Sequence, residues 1–214
     1  MKINIIKTIY ETSNSRVFLR DEDWLFEQPN KKKEHLELFN YWSEKKRSKI
    51  SDEATASKLV LDYDNGIKRA EVEEALKDYE YIIYNSTGNK LSEGVEKFRV
   101  IVSLKEPVLA SDIKHYKKDL CKLFKGVDES TFTVGRFFCR PSKFDKDGAE
   151  VIVSKHDGAL FDFYSSFSHY EVFQPFEELK AHLRASRVRN DNEKKLRSVQ
   201  GMGGQDLPVR SPLL

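Results

Sequence analysis

"KLVLDYDNG", Lys58 to Gly66, is a short apolar run that ends in two carboxylates one residue apart and then breaks at Asn-Gly. Read as a strand, it places Val60, Asp62 and Asp64 on one face and Leu59, Leu61 and Tyr63 on the other. Two like charges about 5 Å apart at an effective dielectric near 20 repel by roughly 3 kcal/mol. Such a pair calls for a compensating cation, from the protein or from outside it.

The segments that follow give this strand its neighbours. "AEVEEALKDY" is helical in pattern, with Val72, Ala75, Leu76 and Tyr79 at spacings of three, four and seven. "EYIIYNS" is a second strand and "EKFRVIVSL" a third, joined by "TGNKLSEGV". Ser111 is placed to cap a helix, "DIKHYKKDLCKLFK", that stops at Gly126 and carries Ile113, Tyr116, Leu120, Leu123 and Phe124 as its apolar residues. "TVGRFFC" reads as a fourth strand. The order is βαββαβ, the split-βαβ or ferredoxin-like arrangement, in which the first and third strands lie side by side.

Around this core the pattern is less regular. "KINIIKTIYE" and "SRVFLRDEDWLFEQ" alternate as strands do, and "KKKEHLELFNYWSEKKR" predicts a helix with Leu38, Phe39 and Trp42 on one face. "KFDKDGAE" predicts a turn at Asp147-Gly148, "AEVIVSKHDGALFDFYS" further strand, and "PFEELKAHLRASRVR" a helix. From about Asn190 the chain turns charged and then Gly-rich, as tails and linkers do. The expected fold class is α+β: a βαββαβ core over 58–189, an additional N-terminal α/β extension over 1–57 packed on it, and a tail over 190–214.

Composition narrows the function classes. A hydrophobic content of 39% suffices for a core, and a net charge of only +2 implies no global attraction to nucleic acid, although 37 Lys and Arg leave room for a local basic surface. Two cysteines are too few for a disulfide framework or a cysteine zinc site. With no signal-peptide pattern and no apolar run near the ~18 residues of a membrane span, a cytoplasmic protein with no membrane partner is expected.

On the third strand Phe98, Val100, Val102 and Leu104 form an apolar face, opposite Lys97, Arg99 and Ile101. Packing both apolar faces on the helices would leave Asp62, Asp64, Lys97 and Arg99 together on an open face of adjacent central strands. Carboxylates beside cations there suit a hard divalent metal and the phosphates it leaves uncovered. Asp128, just before the fourth strand, and Arg136, on it, could join them. Taken singly, each element has a plainer reading. Asp-x-Asp-Asn-Gly can be a turn, Lys97 and Arg99 a solvated strand face, and Asp128 with Glu129-Ser130-Thr131 a loop cap. A calcium loop with Glu73 in twelfth position fits poorly, since Gly66 comes one residue early and a strand leads in.

Taken together, "LVLDYDNG", "YIIYNSTGN…EKFRVIVSLKEPV" and "VDESTFTVGRFFCRPS" resemble the catalytic core of the archaeo-eukaryotic primase superfamily, most nearly the primase-polymerases of phages and plasmids. The resemblance covers roughly Lys58 to Ser142. It implies an RRM-like core and a DNA-templated nucleotidyltransferase using two Mg²⁺ or Mn²⁺ ions. By position, Asp62, Asp64 and Asp128 would be the catalytic metal ligands, and Arg99 and Arg136 would meet the incoming nucleotide's phosphates, with Lys97 beside them. The family's Ser-x-His motif falls on Tyr84-Asn85-Ser86-Thr87-Gly88-Asn89: Ser86 is present, the histidine is not, and Asn89 could replace its hydrogen bonds but not its charge.

The expected partners are nucleoside triphosphates and a single-stranded DNA template. Arg140, Lys143 and the cluster Arg184, Arg187 and Arg189 are the candidate template contacts. No P-loop signature occurs, so any replicative helicase is expected to be separate, and a phage-encoded protein would work in the host cytoplasm. The principal alternative is a catalytically degenerate RRM-like module that binds single-stranded nucleic acid or assists replication initiation. RRM recognition normally uses aromatics where this sheet carries carboxylates. A rolling-circle nickase needs a His-x-His pair, and the five histidines never fall two apart.

Overall fold

The computed structural model describes residues 2–6, 17–31, 36–44, 50–64, 66–89, 94 and 96–167. All belong to one unit of the chain, Met1–Phe167. The expected helix around 175–189, with Arg184, Arg187 and Arg189, and the expected tail lie outside the described residues.

"KLVLDYD" is the end of a nine-residue strand, β4 (Thr55–Tyr63), so the expected boundary at 57/58 falls within it. A helix α1 (Arg69–Ala75) leads to β5 (Tyr81–Asn85), and the long β6 (Phe98–Leu109) follows. These strands and β8 (Val153–His156) form an antiparallel sheet in the order β4-β6-β5-β8. The first and third core strands are thus neighbours, as expected, with Val60 opposite Ile101 and Asp62 opposite Arg99. Leu61, Val100 and Val102 are fully buried beneath the helices, and Tyr63 stacks on Phe98 at 5.0 Å between ring centres. Each such burial contributes about 1.5–3 kcal/mol.

The single helix expected after β6 is two, α2 (Ala110–His115) and α3 (Lys117–Leu123), interrupted at Tyr116. Leu109, not Ser111, occupies the N-cap. Ile113, Tyr116, Leu120 and Phe124 are buried as expected, whereas Leu123 is exposed. The chain reverses at Gly126, whose φ of +84° suits glycine.

The fourth strand differs most. Of "TVGRFFC" only β7 (Phe138–Cys139) is strand, and it pairs in another sheet. That antiparallel sheet has the order β2-β1-β3-β7, with β1 (Lys2–Ile6), β2 (Phe18–Asp21) and β3 (Leu38–Asn40). The place beside β4 is taken instead by two short segments. Asp128 N–H donates to the Asp62 carbonyl at 2.8 Å, the Thr131 hydroxyl donates to the Val60 carbonyl at 3.1 Å, and Asp62 N–H donates to that hydroxyl at 3.0 Å. Further along, Ser57 N–H donates to the Tyr41 carbonyl and Trp42 bridges Ala56. With its edge groups satisfied in this way, β4 needs no fourth strand.

The helix expected over "KKKEHLELFNYWSEKKR" is contradicted where it is described: Leu38–Asn40 is strand β3. Leu38, Phe39, Asn40 and Tyr41 are buried in succession, which a one-sided helix cannot achieve and a central strand covered on both faces can. Tertiary burial outweighs the helical spacing there. "AEVIVSKHDGALFDFYS" yields only the short β8 and isolated bridges, then a helical turn α4 (Phe163–Ser166). The turn at Asp147-Gly148 is present, with Asp145 Oδ1 accepting from the N–H groups of Asp147 and Ala149.

The two sheets meet over the face of Val60, Ile82, Tyr84 and Ile101, against Ile3, Ile5, Trp24, Leu25, Phe39, Tyr41 and Phe138. The face expected to be open is therefore mostly the interior of the molecule. Among the described residues, no helix is long and apolar enough to cross a membrane.

Candidate functional site

The face shared by Lys58, Val60, Asp62 and Asp64 runs from the interior to the surface, and the charges change character along it. Buried Lys58 pairs with Glu22 at 2.8 Å, far down the strand. Asp62 is next to the surface but covered, its side chain 3% exposed, and Asp64 is 40% exposed.

Asp62 and Arg99 face each other across adjacent strands. Nε of Arg99 lies 2.9 Å from Oδ1 of Asp62, and Nη2 donates to Oδ2 at 3.2 Å. Nη1 of Arg99 donates to the Cys139 carbonyl at 3.2 Å, which also accepts from the Tyr84 hydroxyl at 2.9 Å. Burial opposes the Arg99 charge, but the neighbouring Tyr84 and Asp62 oxygens outweigh it and hold its pKa above the ordinary value. Nη1 and Nη2 are hydrogen-bonded, while the buried Nε and Asp62 Oδ1 are in ion-pair contact without a hydrogen bond, and in this arrangement Arg99 holds Asp62 in place. The sheet that displaced the fourth strand supplies this support: β7 contributes the Cys139 carbonyl, and the Phe138 ring lies 5.8 Å from the Arg99 guanidinium and 5.3 Å from that of Arg136.

The Asp128 carboxylate caps the 3-10 turn Glu129–Phe132, accepting from Ser130 N–H at 2.9 Å and from its hydroxyl at 2.5 Å. The loop-cap reading is thus correct, and it coexists with a place in the cluster. Burial pushes the Asp128 carboxyl up, but the Ser130 hydrogen bonds and the charges of Arg136 and Lys117 outweigh it and leave its pKa below the usual value. Arg136 spans two acids, with Nη2 3.5 Å from Asp62 Oδ2 and Nη1 3.7 Å from Asp128 Oδ2. It also donates to the Ser130 hydroxyl. At the surface Lys97 Nζ lies 3.5 Å from Asp64 Oδ2.

Ser86 and Asn89 are placed otherwise than expected. Both are buried, and they build their own loop: Ser86 N–H donates to the Lys97 carbonyl at 2.8 Å, and its hydroxyl accepts from Gly88 N–H. Asn89 Oδ1 accepts from Lys97 N–H at 3.0 Å, and its Nδ2 lies 3.4 Å from Asp145. Asn89 therefore holds Lys97 in position and does not present a group to solvent. Arg140 is a second departure. Its guanidinium is buried 3.8 Å from the Trp24 ring centre and bonded to Glu37 and to the carbonyls of Trp24 and Glu27, so a template strand cannot reach it here. Lys143 is exposed, with its ammonium 5.4 Å from the Phe144 ring centre. Thr131, Phe138 and the Cys139 carbonyl escaped sequence reasoning. Only the position of Thr131 three residues after Asp128 could have drawn attention to one of them.

No protein-family model matches this sequence, and no curated protein matches it. Among solved structures the chain is similar to the archaeo-eukaryotic primase domain of the primase-polymerase of cyanophage S-2L. The identity is 11%, over 78% of this chain and 86% of that one, with a TM-score of 0.46.

Among the described residues, no three His, Cys, Asp or Glu side chains are gathered at metal-binding spacing. In chemical kind the donors do fit Mg²⁺ or Mn²⁺: they are hard carboxylate oxygens, and two of them already share one cationic group, the Arg136 guanidinium.

Proposed function

We propose that this chain is a DNA-templated nucleotidyltransferase of primase-polymerase type. The observation that carries the reading is the graded cluster on β4 and β6. A buried Asp62 is locked by Arg99, and it is followed toward solvent by Asp128 with Arg136 and by Asp64 with Lys97. A purely structural ion pair needs only the inner two residues. The outer four leave carboxylates and cations facing solvent side by side, which suits a substrate carrying phosphates.

In this reading Lys97 and Arg136 bind the triphosphate, as an ammonium point charge and a planar fork respectively. Arg99 and Thr131 fix Asp62, and Asn89 fixes the strand entry at Lys97. Asp62, Asp64 and Asp128 would hold Mg²⁺ or Mn²⁺, whose chemistry when bound is to lower the pKa of the attacking 3′-hydroxyl and to neutralise the leaving pyrophosphate. The protein's own part is positioning and charge stabilisation. Lys143 beside Phe144 is a candidate template contact that offers a cation and an aromatic surface together. Arg184 and Arg187 belong to the same proposal from sequence.

A second reading is favoured by one specific observation. The segment where the family has Ser-x-His turns Ser86 and Asn89 inward, so among its described residues neither of these side chains stands in for the histidine. A binding module without catalysis would tolerate this. Nucleotide incorporation on single-stranded DNA with Mg²⁺ or Mn²⁺, with and without primer, separates the two. Product that disappears in Asp64→Asn supports the enzyme. A folded wild type that binds DNA but makes no product supports the module.

A further inference from the structure

We infer that Arg136 takes the place of a divalent cation between Asp62 and Asp128 while nucleotide is absent, so that the site binds the metal weakly until a phosphate draws the guanidinium away. This rests on the nucleotidyltransferase reading of the same site and specifies how that site is loaded.

The two arginines on Asp62 differ in how they are held. Arg99 is buried, engages both Asp62 oxygens and a carbonyl, and lies on a central strand. Arg136 is 29% exposed, on irregular backbone after the turn at Gly135, and its nitrogens stand 3.5 and 3.7 Å from two different carboxylates. A guanidinium fork matches the paired oxygens of one carboxylate or phosphate far better than two separate acids. Its other anchors, the Ser130 hydroxyl and the Phe138 ring 5.3 Å away, are neutral groups, so Arg136 neutralises the pair through contacts that a charged phosphate can outcompete. Two carboxylates face two guanidiniums, which leaves no net negative charge to attract a metal. An incoming cation would also be repelled by the Arg136 charge already lying between its ligands.

A triphosphate changes both terms. It offers Arg136 oxygens of matching geometry, and the departing guanidinium exposes Asp62 and Asp128 to the cation. Metal and phosphate then favour each other's binding, and by linkage the effect is reciprocal. Arg99 stays in place throughout, so Asp62 keeps its orientation.

The test needs neither nucleotide nor activity. Mn²⁺ binding to the full chain is titrated by the electron paramagnetic resonance signal of the free ion, for wild type, Arg136→Gln and Arg136→Lys, with folding checked by thermal melting. Arg136→Gln should bind Mn²⁺ at least about tenfold more tightly than wild type, since one positive charge near two ligands has been removed. Arg136→Lys should stay near wild type, and Asp128→Asn added to Arg136→Gln should abolish the gain. Equal Mn²⁺ affinity in wild type and Arg136→Gln overturns the inference, whether both are tight or both weak. An equal gain in Arg136→Lys overturns it too. If Arg136→Gln does not fold, Arg136→Met takes its place as the charge-removing variant, with the same tenfold gain expected and the same equality with wild type overturning the inference. The incorporation assay reports on the parent reading separately. An inactive wild type with the tenfold gain sinks that reading and spares the inference; an active one without the gain does the reverse.

Discussion

Asp62 and Asp64 are the same residue type, two positions apart on one face of one strand, and they occupy opposite surroundings. The second sheet stops between them. Asp62 is covered and paired with Arg99 and Arg136, and Phe138 and the Cys139 carbonyl lie against Arg99; Asp64 is 40% exposed, with Lys97 3.5 Å away. Charge in the covered half must be balanced within the protein, because removing one member of a buried pair leaves the other desolvated. Charge in the open half is screened by water and can exchange partners. The inner half is thus built for position, and the outer half for contact with something that arrives.

The largest effect that would break this contrast is on stability. Arg99→Met should cost about 3–5 kcal/mol in chemical denaturation, because it strands the Asp62 carboxylate. Lys97→Met at the exposed pair should cost at most about 1 kcal/mol. Equal losses would mean that the two halves are not distinct. Asp64→Asn should sharpen the contrast in the other direction, lowering incorporation by about a hundredfold or more while leaving the melting temperature unchanged. Thr131→Val removes the hydroxyl that serves both Asp62 N–H and the Val60 carbonyl, and should cost about 1–3 kcal/mol. A neutral result there would show that the edge of β4 is closed by something other than this turn.

The smallest expected effect is a pH dependence. Ser130, Arg136 and Lys117 hold the Asp128 pKa below its usual value despite partial burial. A carboxyl depressed in the folded state adds stability above its unfolded pKa of about 3.9, and loses it as pH falls through the lower folded value. Melting temperatures followed downward from pH 5 should therefore decline less steeply in Asp128→Asn than in wild type. An identical slope would show that Asp128 is not held by these partners.

Legibility from sequence followed the range of the forces involved. Alternation along β4 and β6 gathered Asp62, Asp64, Lys97 and Arg99 on one face of adjacent strands, because a two-residue period and a strand–helix–strand–strand order leave little choice of neighbour. The register that pairs Asp62 with Arg99 and Asp64 with Lys97 came only from the fold. Helix α1 and the stop at Gly126 were legible for the same reason: propensity, period and glycine conformation act locally. Leu38, Phe39 and Trp42 misled, since their spacing suits a helix as well as a strand in so short a run. Only burial on both sides selected the strand. Ser86 and Asn89 were found as a motif position, but their inward turn depends on hydrogen bonds to Lys97, eleven and eight residues later.

The sequence by itself determined which charges can meet, since period and strand order are written in neighbouring residues. Tertiary structure alone decided which of those charges are covered. Phe138 and Cys139 join the second sheet, not the first, and the 128–131 turn takes the edge of β4 that they leave. That choice rests on packing between segments more than a hundred residues apart, such as Ile3 and Ile5 with Phe138. No local pattern encodes it, because hydrophobic burial is non-directional and only the assembled core shows which faces it has closed.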